Sequence, residues 1–456
     1  MAPETTGDRM TNVTGGKAIF EKSVIEKILG IPFNEDNYVR LLKSGEETFH
    51  AIFESAADAK EIICIEFYIF KDDDTGRKFA ELLKEKAQKG IKVYVLYDHF
   101  GSIATSGDFW TDLRKAGINI RASHPFKWLS PRHYIHRNHK KLLIIDGRKA
   151  FTGGFNIADE YGGYFGKRKK HIWRDTGIYL EGPVAATMFE MFKKSWSAWK
   201  GEPIIWHERT QLGESSLAYR PASPRGEQAG LRPVNPVRNL GRDITPPSHL
   251  KDIFTLLDNN KHLSGYFSNG VNPEGISVIP IFSSSAKGRR KMRQLFFYSI
   301  NNAKEKIFLT TAYFTPSRRI IIALEDAVKR GVEVRLLLPG KTDIMPVYYA
   351  GRYFYKKLLN AGIEIYDYQD EILHAKTAVF DSCWSIVGSA NLDFQSLRRN
   401  DESNVGIFDN DFSRYMTGAF MEDIRHSIKV DALIWSKRPF YEKTLESFFS
   451  VFRKRL

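Results

Sequence analysis

The chain has 456 residues, too many for one ordinary domain, with a formal net charge of +14 and an isoelectric point near 9.4. This basic balance predicts a polyanionic partner, either an anionic membrane or a nucleic acid, and charge alone does not choose between them. The longest apolar run, IICIEFYIF, contains Glu66 and is far shorter than the roughly 20 residues of a membrane span, so the sequence predicts no spanning helix.

The first 16 residues, MAPETTGDRMTNVTGG, lack the basic and apolar regions of a signal peptide and are predicted to be flexible. The next stretch, IFEKSVIEKIL at 19–29, can form an amphipathic helix whose apolar side carries Ile19, Val24, Ile25 and Ile28. Two outcomes stay open for this helix, packing on the protein's own core or lying on an anionic surface.

An internal repeat organises the rest of the chain. The order EIICIEFYIF, GRKFAELLKEKAQKG, IKVYVLYD in the first half returns as EKIFLTTAYF, SRRIIIALEDAVKRG, VEVRLLLPG in the second. The middle segments carry helical apolar stripes and end in a basic residue and glycine, which is a common helix stop. The stripe residues are Phe79, Leu82, Leu83 and Ala87 in the first half, and Ile321, Leu324 and Val328 in the second. Alternating strands and helices predict two similar α/β domains with mixed, largely parallel sheets flanked by helices.

The predicted organisation is a flexible terminus at 1–16, a first domain at 17–206, a linker or lid at 207–272 and a second domain at 273–456. The segment 207–272 is rich in Pro, Gly, Ser and Arg and weak in apolar periodicity, so a tether and a lid both stay open. Cys64 and Cys383 lie in apolar strand-like contexts and predict buried thiols in a reducing compartment rather than a disulfide.

One six-residue motif occurs in both halves with the same spacing. The first copy is His139, Lys141, Asp146, Gly153, Gly154 and Asn156; the second is His374, Lys376, Asp381, Gly388, Ser389 and Asn391. Each copy predicts a strand, a tight turn and a second strand, with His and Lys on one strand face. The small residues leave room for a ligand, and imidazole, ammonium and amide groups suit a phosphate. Two copies face to face would present two imidazoles to one phosphorus.

This pairing predicts covalent phosphoryl-group chemistry. One imidazole attacks phosphorus while the other, protonated, gives its proton to the leaving oxygen. The phosphoryl oxygens are expected to be held by Lys141, Lys376, Asn156 and Asn391. We expect no metal and no cofactor, because no His, Cys or acidic cluster has ligand spacing.

Four acidic residues accompany the motifs. Asp175 and Glu402 follow the first and second motif and are candidates to orient an imidazole, or structural acids at strand starts. Asp146 and Asp381 are included in the catalytic set as motif members, although each begins a turn and a turn-forming role is an equal alternative.

The motifs closely resemble those of the phospholipase D superfamily, and further segments resemble its cardiolipin synthase branch. These segments lie at 41–73, 96–102, 173–183, 310–316 and 361–376, and the resemblance covers about 40–205 and 275–440. It implies two phospholipase D-like α/β sandwich domains with one active site at their interface. It also implies transfer of a phosphatidyl group between phospholipids, commonly phosphatidylglycerol, with His139 as nucleophile and His374 as acid.

The sequence differs from the family pattern in one respect. Typical bacterial members of this branch begin with two membrane-spanning helices, and no such helix is predicted here. The chain is similar to shorter members without anchors, so we expect a cytoplasmic enzyme bound peripherally to the inner face of the cell membrane. Aromatic and basic residues flank the first motif in PFKWLSPRHY and YGGYFGKRKKH, as an interfacial anionic lipid requires, although they could also stack bases. The C-terminal YEKTLESFFSVFRKRL places Leu445, Phe448, Phe449 and Phe452 beside a basic tail and has the same two possible outcomes as 19–29.

Several functions stay open at this level. A phosphatidyltransferase forming cardiolipin is favoured over a metal-independent nuclease, because two motifs in one chain and the segment WRDTGIYLEGP favour lipid, and no nucleic acid partner is expected. A phospholipase D that releases phosphatidic acid shares the same motifs, since water could replace the alcohol acceptor. A catalytically inactive scaffold is disfavoured by two intact motifs.

Overall fold

A computed structural model describes residues 20–126, 136–162, 172–206 and 274–455. The predicted flexible terminus at 1–16, the linker or lid at 207–272 and most of the two aromatic-basic segments (127–135 and 163–171) lie outside the described residues. The chain divides into one unit of residues 1–201 with 270–456 and another of residues 202–269. Both motif-bearing halves therefore belong to one compact unit.

The described part of the first half contains seven strands and six helices. The strands are β1 (Asn34–Leu42), β2 (Ile62–Phe67), β3 (Lys92–Asp98), β4 (Asn119–Ser123), β5 (Lys141–Ile145), β6 (Lys149–Gly153) and β7 (Gly177–Glu181). The helices are α1 (Lys22–Leu29), α2 (Gly45–Ala57), α3 (Asp74–Gln88), α4 (Gly107–Lys115), α5 (Asp159–Gly162) and α6 (Pro183–Ala198).

The described part of the second half contains eight strands and eight helices. The strands are β8 (Ile276–Phe282), β9 (Lys306–Thr310), β10 (Glu333–Pro339), β11 (Glu364–Tyr368), β12 (Thr377–Phe380), β13 (Trp384–Gly388), β14 (Ser403–Phe408) and β15 (Ser427–Lys429). The helices are α7 (Ala286–Asn302), α8 (Arg318–Lys329), α9 (Met345–Arg352), α10 (Tyr355–Asn360), α11 (Phe394–Arg398), α12 (Asn410–Arg425), α13 (Ala432–Ser436) and α14 (Phe440–Phe452).

All of these strands form one continuous sheet in the order β15-β11-β10-β9-β12-β13-β14-β8-β1-β7-β6-β5-β2-β3-β4. The order reads the same way outward from the central β1–β8 pair, so the sequence repeat is a structural repeat. The α/β fold class is confirmed, but the expectation of largely parallel sheets is wrong. Only β2–β3, β3–β4, β9–β10 and β10–β11 are parallel ladders among the described strands. Each motif folds back as an antiparallel hairpin, which the alternation of helices and strands does not reveal.

The predicted repeat helices form where their local sequence favours them. Helix α3 is capped by Asp73, whose side chain accepts a hydrogen bond from the Gly76 amide, and α8 is capped by Ser317, whose side chain accepts one from the Ile320 amide. Both helices are followed by a glycine in the left-handed conformation, Gly90 and Gly331. The predicted stripes face inward, since Phe79, Leu82 and Leu83 of α3 and Ile321 and Leu324 of α8 are buried.

The two terminal amphipathic segments have opposite outcomes. In α1, Ile25 and Leu29 are buried and belong to the core of the second half, so packing, not surface attachment, is the outcome there. In α14 the fully buried residues are polar, Glu446 and Ser450. Of the predicted apolar residues, Leu445 and Phe449 are half-buried, with Phe449 stacked on Tyr349, while the others lie on the outer side. Phe448 is 56% exposed and Val451 72% exposed.

Two further expectations concern thiols and membrane spans. Both cysteines are free; Cys64 is buried as predicted, whereas Cys383 is only half-buried. Across the described ranges, every helix is too short or too polar to traverse a bilayer.

Candidate active site

Two short cross-connections bring the motifs together. The segment before β5 forms a parallel bridge between Asn138 and Asp401, and the segment before β12 forms the matching bridge between Leu373 and Arg174. The His139 amide donates to the Asp401 carbonyl at 2.8 Å, and the His374 amide donates to the Arg174 carbonyl at 2.8 Å. Each catalytic-motif histidine is therefore fixed by backbone contacts to the opposite half.

The two candidate orienting acids are exchanged between the halves. His139 Nδ1 lies 3.0 and 3.1 Å from the two carboxylate oxygens of Glu402, which belongs to the second half. His374 Nδ1 lies 2.7 Å from Asp175 Oδ2, which belongs to the first half. Both histidines and both acids are buried. With Nδ1 occupied by a carboxylate, Nε2 is the nitrogen that each imidazole can offer to a ligand.

The tautomer of His374 requires an assignment. Lys376 Nζ also lies 2.8 Å from His374 Nδ1, and this nitrogen cannot accept from the ammonium while it donates to Asp175. We assign the proton to Nδ1, because the carboxylate contact at 2.7 Å is the shorter one and Lys376 has another acceptor in the His374 carbonyl.

Burial changes the acidity of the four basic groups. Desolvation lowers the pKa of His139, opposed by Glu402, and lowers the pKa of His374 to about 3, with Lys376 adding to the effect. Desolvation also lowers the pKa of Lys376 to about 8 and that of Lys141 well below its usual range, opposed by the nearby carboxylates. With their pKa values lowered, both imidazoles are neutral near pH 7.

The lysines and asparagines complete each half of the site. Lys141 Nζ donates to the His139 carbonyl at 2.9 Å, and Lys376 Nζ donates to the carbonyl of His374. The Asn156 oxygen accepts from the Ile69 amide at 3.1 Å, and the Asn391 oxygen from the Tyr313 amide at 3.3 Å. These bonds leave the amide NH₂ groups as the donors of each asparagine; that of Asn156 reaches the Tyr161 hydroxyl at 2.9 Å.

His139, His374, Asn156 and Asn391 line one cavity of about 750 Å³. Other residues near the motifs also line the cavity, including three aromatic residues around His374. Their ring centroids lie 5.4 Å (Tyr161), 5.1 Å (Trp173) and 6.2 Å (Tyr313) from the centroid of the His374 ring. The cavity is large enough for part of a lipid, and both imidazoles line it.

The small residues of the motifs act on the acids. A Cβ on Gly154 would stand 2.1 Å from Asp175 Oδ1, so only glycine leaves the carboxylate in place there. In the second half, the equivalent Ser389 instead donates its hydroxyl hydrogen to Glu402 Oε2. The second member of each pair, Gly154 or Ser389, thus helps to position an orienting acid, in addition to the room for a ligand that the sequence predicts.

Asp146 and Asp381 need a correction, since the structure does not place them at the cavity. Each lies beyond the far end of its motif strand, so Asp146 is about 17 Å from Lys141 at ~3.4 Å per residue. Both adopt left-handed backbone conformations (φ 51° and 53°) in the hairpin turns. Asp146 accepts from the amides at 60–62 and Asp381 from those at 304–306, which fixes the start of the neighbouring strand. The turn-forming alternative fits these contacts.

The sequence did not single out several residues of the cavity wall. Tyr68, Arg137, Asp393 and Arg399 line it, and burial raises the pKa of Asp393 to about 7. Arg137 and Arg399 adjoin the motif and the second acid, so proximity in sequence was a usable signal. Tyr68 gave no signal beyond its strand pattern. In the described ranges, no three His, Cys, Asp or Glu residues are grouped as metal ligands.

Known proteins resemble this chain in both sequence and fold. The model of the PLD-like domain of cardiolipin synthase matches residues 52–161 and 297–424. A probable cardiolipin synthase of Bacillus subtilis is 29% identical over 465 residues, covering 97% of this chain and 81% of the relative. Cardiolipin synthase A of Pseudomonas syringae is 32% identical over 399 residues, covering 87% and 70%. The crystal structure of phosphatidylserine synthase from Haemophilus influenzae shares the fold, with a TM-score of 0.66 at 14% identity, covering 95% of this chain and all of that one.

Proposed function

The chain belongs to the family of phospholipase D-like cardiolipin synthases, and from that premise we propose that it forms cardiolipin by phosphatidyl transfer from one phosphatidylglycerol to another. The observation that carries this proposal is the pair of imidazoles in one cavity, each held at Nδ1 by a carboxylate of the opposite half. This arrangement provides a nucleophile and a proton donor on the two sides of a single phosphodiester.

The proposed reaction has two displacements at phosphorus. In the first, His139 Nε2 forms a P–N bond, the P–O bond to the leaving glycerol breaks, and the Nε2 proton of His374 passes to that oxygen. In the second, His374 takes the proton of the acceptor hydroxyl, whose oxygen attacks phosphorus and breaks the P–N bond. Lys141, Lys376, Asn156 and Asn391 are proposed to hold the phosphoryl oxygens.

This cycle requires a protonated His374 at the start, although burial lowers its pKa to about 3. A bound phosphodiester adds a negative charge beside the imidazole, and such a charge favours the imidazolium form. We therefore propose that substrate binding loads the proton, with Asp175 stabilising the charge through Nδ1.

The first experiment tests the reaction. Protein is incubated with phosphatidylglycerol vesicles, and lipid products are identified by mass spectrometry, with His139→Ala and His374→Ala as variants. We expect cardiolipin and glycerol from the wild type and neither from the variants. Phosphatidic acid in place of cardiolipin would identify a hydrolase, and a wild type inactive on phospholipids would refute the proposal and direct the test to nucleic acid.

A second experiment assigns the two histidines. The reaction is quenched after mixing with phosphorus-labelled lipid, and the labelled residue is located by peptide mapping. Label on His139 supports the proposed order, whereas label on His374 in an otherwise active enzyme reverses it.

The proposed partner surface is an anionic phospholipid membrane at its cytoplasmic face. Helix α14 supports this, because its polar side packs inward through ion pairs of Glu442 and Glu446 with Arg352, while Phe448 and Phe452 remain exposed. Arg455, just beyond this helix, lines the active-site cavity, so the apolar surface adjoins the site entrance. Exposed Phe100 and Ile344 extend the apolar rim from both halves.

Sedimentation with phosphatidylglycerol vesicles at low salt tests this surface. The double variant Phe448→Ser, Phe452→Ser should bind at least tenfold more weakly, since burying one such side chain contributes about 1.5–3 kcal/mol. The matched control is Ile322→Ser on α8, which is 39% exposed, as is Phe452, and does not line the cavity. Equal binding by the double variant and the control would contradict the proposed membrane surface.

A further inference from the structure

The repeat pairs each residue near one motif with a residue at the matching position near the other. Several of these matched residues differ in charge. Counting back from the histidines, Arg137 in the first half corresponds to Ile372 in the second. Three residues before the orienting acids, Arg399 in the second half corresponds to Ile172 in the first. Two residues before them, Asn400 corresponds to Trp173. Two arginines of the cavity wall, Arg137 and Arg399, therefore occupy positions that are isoleucine in the other copy of the repeat.

The two arginines are held next to each other by the cross-connection. The Asp401 amide donates to the Arg137 carbonyl at 2.9 Å, and His136 Nδ1 lies 2.8 Å from the Arg399 carbonyl. The guanidinium of Arg137 lies 4.0 Å from the centre of the Phe100 ring, and that of Arg399 lies 5.2 Å from the Phe394 ring. Ring contacts of this kind hold a guanidinium in place while its N–H groups remain available.

Both arginines line the cavity that holds the two histidines, and Arg455 lines it as well. Within the described part of the chain, none of the three has a carboxylate in ion-pair contact, whereas Arg174, their neighbour on the other side, pairs with Asp423 at 2.8 Å. Arg137 Nη1 donates to the His136 carbonyl at 3.2 Å, so its charge, like that of the other two, is not neutralised by a carboxylate. Three such guanidinium groups in one cavity wall can form an anion site, for which a phosphodiester is the matching ligand.

We propose that Arg137 and Arg399, extended by Arg455, bind the phosphate of the acceptor lipid during the second displacement. This inference rests on the proposed phosphatidyl transfer. The donor phosphorus must lie between the two imidazoles, so a second phosphate needs a place of its own. Only an acceptor that itself carries a phosphodiester, such as phosphatidylglycerol, uses this site; water and neutral alcohols do not.

A competition between two acceptors tests the assignment. Phosphatidylglycerol vesicles are incubated with deuterated glycerol, and mass spectrometry measures two products of the same phosphoenzyme. Labelled phosphatidylglycerol reports attack by the neutral alcohol, and cardiolipin reports attack by the anionic lipid. The measured quantity is the ratio of cardiolipin to labelled phosphatidylglycerol, which does not depend on how fast the phosphoenzyme forms.

We expect Arg137→Gln and Arg399→Gln each to lower this ratio by about tenfold, the effect of one lost charge-assisted hydrogen bond. Arg399→Lys keeps the charge and should lower the ratio less than Arg399→Gln. The control is Arg414→Gln, whose side chain is 76% exposed on α12, and it should leave the ratio unchanged.

An unchanged ratio in both glutamine variants would overturn the acceptor site. An equal loss of both products would overturn it too, because the arginines would then serve the donor or the folded state. A wild type that forms neither product would instead refute the proposed phosphatidyl transfer, so the two failures are distinct.

Discussion

Replacing Glu402 by glutamine tests whether the exchanged carboxylates set the chemistry of the histidines. The Glu402 side chain is fully buried and lies 3.0–3.1 Å from His139 Nδ1. Glutamine keeps its shape but exchanges one acceptor oxygen for an NH₂ group. When that group faces Nδ1, the imidazole must carry its proton on Nε2 and has no lone pair for phosphorus.

The expected loss of turnover is large. The same acid-to-amide change beside the histidine of a Ser-His-Asp triad lowers turnover by about 10⁴, which is about 5.5 kcal/mol of transition-state stabilisation. In this site, Glu402 and Asp175 are also the two carboxylates that act on both buried lysines, raising the pKa values of Lys141 and Lys376 against the effect of burial. Losing it lowers the pKa of His139 further. We therefore expect a decrease of 10³–10⁴ in the rate of glycerol exchange, as an order of magnitude.

The assay measures exchange of deuterated glycerol into phosphatidylglycerol, with phosphoenzyme formation measured in a single turnover. If His139 is the nucleophile, Glu402→Gln should abolish the burst of phosphoenzyme. Asp175→Asn, the matched variant on the other side, should slow the burst and also its breakdown, because His374 serves both steps. Glu402→Gln activity within tenfold of the wild type, with an unchanged melting temperature, would refute the role of the carboxylate in fixing the tautomer.

Three other substitutions test single contacts. Gly154→Ala should displace the Asp175 carboxylate and lower the rate of glycerol exchange by at least about 100-fold. The control Gly107→Ala, where a Cβ meets nothing within 4 Å, should leave the rate unchanged. Equal activity of the two variants would contradict the role of Gly154 in leaving room for the carboxylate. Burial raises the pKa of Asp393 to about 7, so above that pH its carboxylate is charged beside the bound phosphates, and KM should rise from pH 6 to pH 8. Asp393→Asn should remove this rise. A parallel rise in the variant would show that the Asp393 carboxyl is not its cause. Lys140→Met leaves its buried carboxylate partner on β2 unpaired and should lower the free energy of unfolding by about 3–5 kcal/mol in urea titrations, and a loss below about 1 kcal/mol would contradict this.

The sequence was sufficient for the parts of the fold and site that depend on local pattern. Helical stripes and glycine stops predicted α3 and α8, and the apolar runs with acidic turns predicted the motif hairpins. The identity of the motif histidines, lysines and asparagines needed only the repeat. These features are set by residues within about 20 positions of each other, where spacing translates directly into geometry.

Features set by distant pairing were not predictable in the same way. The exchange of orienting acids joins residues 263 positions apart for His139 and Glu402, and no local period encodes that contact. The continuous sheet depends on the β1–β8 pair, where the Asn37 side chain donates to the Ile276 carbonyl at 3.0 Å. Glu66 only interrupted an apolar run in the sequence; in the structure it is the buried partner of Lys140 and Asn138.

The two-fold repeat and its exceptions carry different information about this enzyme. The six motif positions agree between the halves, as the proposed reaction requires, since in it both histidines meet one phosphorus with the same set of supporting groups. A transfer reaction nevertheless needs unlike sides, since the nucleophile, the proton donor, the leaving alcohol and the acceptor occupy different positions. We therefore expect a residue that breaks the symmetry, such as Arg137 of the cavity wall against Ile372 at the matching position, to distinguish the substrates. In a site built from a repeat, residues that match between the halves are thus candidates for the bond-making groups, and residues that differ are candidates for substrate selection.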